Sequence, residues 1–100
     1  MKTIKMSLCA GRHEMPADVV ATVFSNTIED PTDTLTLLDA ATRVICANVH
    51  PDKGEKLLLY VTGMTVALGA VIRACLNNGI QCTLMHYDRE SGDYYPQDIC

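Results

Sequence analysis

The sequence predicts an α/β domain with a mainly parallel sheet of four or five strands in three layers. Two observations carry that expectation. Leu57-Leu58-Leu59-Tyr60-Val61 is a continuous apolar run of the kind that suits a strand covered on both faces. A strand, a helix and a second strand then follow one another over about thirty residues, the βαβ pattern whose strands are parallel. The 100 residues fit one domain spanning 1–100.

Thr3 to Cys9 alternates in polarity and predicts a first strand, which Gly11 and Pro16 prevent from continuing. Val19 to Phe24 is β-branched and aromatic, which favours a short second strand over a turn of helix beginning near Asp18. Asp30-Pro31, with Asp33 three positions on, combines an N-cap residue, a proline at the first helical position and an acid in the first turn. The helix so begun places Leu37, Leu38, Ala41, Val44 and Ile45 on one stripe and Asp39, Thr42 and Arg43 outside, and it stops at His50-Pro51. After the charged turn Asp52 to Lys56 comes the apolar strand. Thr62-Gly63-Met64-Thr65 interrupts, and Val66 to Leu76 has helical length with Ala67, Ala70 and Ala74 as small contact positions. Asn77-Asn78-Gly79 ends it. Ile80 to Tyr87 is the next strand, Asp88 to Gly92 a turn, and Asp93 to Tyr95 an edge strand ending before Pro96.

Composition excludes several roles. Eight Lys plus Arg against twelve Asp plus Glu leaves a net charge of −4, which argues against binding a long nucleic acid. Leu57 to Leu76 has the length of a membrane span with Arg73 as its one charge, but Tyr60, Thr62, Gly63 and Thr65 fall in its middle, so no membrane partner is expected. Five cysteines make an odd number without a C-x-x-C pair, and no apolar leader follows Met1-Lys2-Thr3, which points to a reducing, cytoplasmic setting. Cys9, Cys46, Cys75 and Cys82 sit in apolar runs and read as small core residues, so neither a metal site nor a cofactor is expected. Val66 to Leu76 is apolar nearly all round, which suits a helix covered by the sheet on one side and by a second copy on the other, so a homo-oligomer of two or more copies is expected. Arg73 then snorkels or meets an acid across that interface.

In an open parallel sheet, ligands bind beyond the carboxyl ends of the strands. If the first strand runs parallel to the others, three loops meet there: Gly11-Arg12-His13, Thr62-Gly63-Met64-Thr65 and His86-Tyr87-Asp88-Arg89. In the second, the glycine permits a tight turn and close backbone approach, while two hydroxyls and the N–H groups opening the next helix suit a phosphate. The same residues also suit a plain turn with Thr65 as helix cap. Arg12 and Arg89 offer charge-assisted bonds to an anion, or are simply solvated. His13 and His86 are the candidate proton-moving groups, and catalytic residues stay otherwise unassigned. Tyr87, Tyr94 and Tyr95 crowd the last loop, suited to stacking on a base or to lining a hairpin.

The stretch Leu58-Leu59-Tyr60-Val61-Thr62-Gly63-Met64-Thr65 with its following helix resembles the strand, Thr-Gly-x-Thr turn and helix of CARF-type domains. These are Rossmann-like second-messenger sensors of prokaryotic immunity that include ring nucleases. Met64 stands where such turns usually carry a second glycine. The resemblance covers Leu57 to Tyr87, with support from Thr3 to His13. Small phage proteins that sequester immune signalling nucleotides are a further comparison. The resemblance implies a small Rossmann-like protein that binds and sequesters or senses a cyclic or modified nucleotide, and the convergence of the three loops puts Gly11, Arg12, His13, Thr62, Gly63, Met64, Thr65, His86, Tyr87 and Arg89 around it. A metal-independent ring nuclease using His13 or His86 and a protein-interaction module are the alternatives.

Overall fold

The computed structural model describes residues 2–9, 18–25 and 28–100. In chain order the elements are β1 (Lys2–Cys9), β2 (Ala21–Phe24), α1 (Thr34–Asn48), a 3-10 turn (Pro51–Lys53), β3 (Glu55–Tyr60), α2 (Thr65–Asn77), β4 (Cys82–Asp88) and β5 (Asp93–Asp98). They form one five-stranded sheet in the order β2-β1-β3-β4-β5. The first four strands are parallel and β5 runs antiparallel to β4. The apolar run therefore occupies the sheet's centre.

Both helical crossovers, β2 to β3 and β3 to β4, move in the same direction across the sheet. Right-handed connections then place both helices on one face, and α1 and α2 do pack against each other. The described residues thus build two layers rather than the three expected, because no described helix covers the opposite face. The core lies between sheet and helices. Met6 and Leu8 of β1, Leu57 and Leu59 of β3, and Cys82 and Leu84 of β4 meet Leu37, Ala41 and Ile45 of α1 and Ala67, Val71, Ala74 and Cys75 of α2. The alanines let α2 sit close to the strands, and each fully buried Leu or Ile contributes roughly 1.5–3 kcal/mol of transfer free energy.

Three boundaries differ from expectation for identifiable reasons. The N-cap of α1 is Asp33, whose carboxylate accepts from the Thr36 N–H at 3.2 Å and the Thr36 hydroxyl at 2.7 Å. Asp30 is spent on the preceding turn, accepting from the Thr32 N–H at 3.0 Å, so the helix begins three residues after Pro31. Met64, not Thr65, caps α2, and no side-chain hydrogen bond closes that end. The last strand runs through Pro96, which an edge strand tolerates because one side of its backbone faces no partner. Other expectations hold: α1 ends at Asn48, just before His50-Pro51, and Gly79 after α2 takes φ +64°, a left-handed conformation that glycine adopts without cost.

No helix among the described residues is long and apolar enough to cross a membrane. The stretch Leu57 to Leu76 divides into β3, a turn and α2.

Candidate functional site at the carboxyl rim

Parallel pairing of β1, β3 and β4 turns the ends of all three strands to one rim. At that rim β1 and β3 are fastened by a single hydroxyl. Thr62, buried just beyond β3, donates to the Cys9 carbonyl at 2.9 Å and accepts from the Cys9 N–H at 3.3 Å. Its oxygen therefore serves the two strand ends. The sequence offered the Thr62 hydroxyl to a phosphate; its bonds to Cys9 make it the brace behind the turn.

Gly63 follows with φ +91°, and a Cβ there would lie 2.9 Å from the Cys9 Sγ and 3.0 Å from its Cβ. Only glycine meets both the conformation and the approach. Cys9 is consequently the floor on which the turn rests, a role the sequence did not single out. Met64 and Thr65 are exposed, and the start of α2, which no side chain caps, leaves its first N–H groups directed to the same rim.

The last strand adds two different surfaces. His86 stands two positions beyond Leu84 and hence on the helix-bearing face; its Nε2 lies 2.7 Å from the Gln97 Oε1 and its ring 5.4 Å from that of Tyr95. Tyr87 points to the opposite face, where its ring lies 5.4 Å from that of Tyr94, which in turn meets buried Tyr60 edge-on at 4.9 Å. The three tyrosines near the last loop are thus divided between the two faces. Burial raises the Tyr94 phenol above its ordinary pKa, and the neighbouring Tyr60 and Tyr87 add to the effect. Arg89 is exposed in the turn that follows, which the Asp88 carboxylate braces by accepting from the Glu90 N–H and the Ser91 hydroxyl.

Gly11, Arg12 and His13 lie outside the described residues. Among the described ones, the face bearing Tyr60 also carries Ser7 and Thr22, whose hydroxyls are 2.7 Å apart, and Lys5, paired with Asp18 at 2.8 Å. Thr3, Lys5, Ser7 and Cys9 alternate along β1, and that alternation is the signal that marks this face as polar.

The chain matches no family model, no curated protein and no solved structure. What the rim offers chemically must therefore be read from its own residues. It combines helix N–H groups, an arginine, an imidazole anchored at one nitrogen, and phenol rings on the adjoining sheet face. No group of described His, Cys, Asp or Glu side chains is arranged to hold a metal ion.

Proposed function

We propose that the chain is a small Rossmann-like cytoplasmic protein that binds and sequesters or senses a cyclic or modified nucleotide second messenger of prokaryotic anti-phage immunity. The ligand's phosphate sits over Gly63, Met64 and Thr65 at the start of α2, with Arg89 as charge partner and His86 or Tyr87 against ribose or base. The observation that carries this reading is the joining of Thr62 and Gly63 to Cys9, which sets the beginnings of two crossing loops side by side at the carboxyl rim. Helix N–H groups without a side-chain cap favour an anion there.

Isothermal titration with a panel of cyclic oligonucleotides and cyclic ADP-ribose isomers tests it. Saturable heat with one member, weakened at least tenfold by Arg89→Ala, supports the reading. No heat from any member removes it.

A second reading, a metal-independent ring nuclease, is favoured by His86. With Nε2 donating to Gln97, the Nδ1 lone pair is available to take a proton. Chromatography of ligand recovered after denaturation separates the two, since a sequestering protein returns it intact. A homo-oligomer is part of the proposal. Leu35 is 77% exposed on α1 and Leu76 55% exposed on α2. Between the helices, Leu35, Leu38, Val66, Gly69 and Arg73 line a groove of about 280 Å³.

A further inference from the structure

Three cysteines, from α2, from β4 and from just beyond the last strand, come together at the pole opposite the rim. Cys75 lies near the end of α2, Cys82 opens β4, and Cys100 follows β5. Their meeting has a backbone cause. The Cys82 N–H donates to the Cys100 carbonyl at 3.0 Å, while the N–H groups of Ile99 and Cys100 both donate to the Cys82 carbonyl, at 3.0 and 3.4 Å. Ile99 and Cys100 opposite the single residue Cys82 form a β-bulge, which re-aims the side chains it carries. Cys100 is thereby turned so that its thiol donates to the Ile80 carbonyl at 3.5 Å. It lines, together with Cys75, Leu76, Gly79 and Ile80, a cavity of about 220 Å³.

The three thiols differ in access. Cys75 and Cys82 are buried, whereas Cys100 is exposed. The neighbouring Cys75 thiol and burial push Cys82 well above an ordinary thiol, so its proton is the one retained, while the Cys82 thiol beside it lowers Cys75. An oxidant reaches Cys100 first, and Cys75 is the buried thiol that shares a cavity wall with it.

We infer that this cavity is an oxidative modification site, in which hydrogen peroxide oxidises Cys100 and Cys75 closes a disulfide with it. The Cys100 thiolate attacks one peroxide oxygen, the O–O bond breaks, and sulfenic acid and hydroxide form. The Cys75 sulfur then attacks the sulfenic sulfur; the S–S bond forms and the S–O bond breaks. The leaving hydroxide departs as water with the Cys75 proton. Two thiols lose two electrons, and one peroxide becomes two waters once the first hydroxide takes up the proton that Cys100 released. The bridge joins the end of α2 to the end of β5 around β4.

The test is peptide mapping of the whole protein without reductant after near-stoichiometric hydrogen peroxide. The expected product is a Cys75–Cys100 linked peptide pair, lost in Cys100→Ser and retained in Cys46→Ser, whose exposed thiol does not line the cavity. Bridge formation raises Tm by at least about 5 °C, reversed by reductant. Cys100 ending as sulfinic or sulfonic acid, joined to a second chain, or unmodified while Cys46 reacts, overturns the inference.

Discussion

The Thr62 hydroxyl holds both backbone groups of Cys9, donating to the carbonyl at 2.9 Å and accepting from the N–H at 3.3 Å. One side chain thus closes the gap where β1 and β3 stop pairing as strands and their loops begin. Removing a buried hydroxyl with two backbone partners takes a hydrogen bond from each of them.

Thr62→Val, nearly the same in shape, is expected to lower stability by about 1–3 kcal/mol. Thr62→Ser keeps the oxygen and loses less. Denaturant unfolding of the three proteins checks the order. Equal stability of Thr62→Val and the parent would mean that the Cys9 groups find other partners.

Gly63→Ala places a methyl group against Cys9 in a left-handed conformation, and a loss of roughly 1–3 kcal/mol is expected. Cys9→Ala in that background removes the sulfur contact but neither the Cβ contact nor the backbone strain, so Tm recovers only in part. Full recovery would locate the whole cost in the sulfur.

At the start of α1, Asp33→Ala is expected to cost about 1 kcal/mol and Asp30→Ala less, because Asp33 is the cap. Both Asp30 and Asp18 have pKa values below the ordinary 3.8, Asp30 through hydrogen bonds from Thr32 and Asp18 through its bond to Lys5. A carboxyl whose folded pKa is depressed stabilises the fold above its unfolded pKa, and that contribution disappears as pH falls through the folded value. NMR titration should therefore show both carboxyls ionised below pH 3.8, with stability declining over the same interval.

The two aspartates also show what could be read from sequence and what could not. Asp30-Pro31 carries every local sign of a helix start, yet Thr32 turns Asp30 into a turn-former, a choice between two hydrogen-bond partners that spacing alone does not decide. The apolar stripe of α1, the central strand and the glycine after α2 were legible because periodicity and conformational freedom are local properties. The layer count was not, since it depends on strand order: β1 lies between β2 and β3, which sends both helices to one face. At the rim, Gly63 was legible as a tight turn, but the role of Thr62 depends on Cys9, fifty-three residues away. The division of the tyrosines, with Tyr95 beside His86 and Tyr87 beside Tyr94, follows from a hairpin register that the pair Tyr94-Tyr95 alone does not reveal.

Leu35→Glu puts a charge on the exposed edge of the groove between α1 and α2. If that groove meets a second copy, light scattering will find the parent at twice the monomer mass or more and the variant at the monomer mass. A monomeric parent would contradict the oligomer.

The carboxyl rim as an anion site is tested most directly by mapping amide chemical-shift changes on titration with the cyclic nucleotide that gives the largest calorimetric heat. The account predicts the largest shifts at Gly63 to Ala67 and at His86 to Arg89, with Cys75, Cys82 and Cys100 at the far pole unmoved. Shifts centred on the groove between the helices or on the far pole, with the Gly63 to Ala67 amides unchanged, would contradict it.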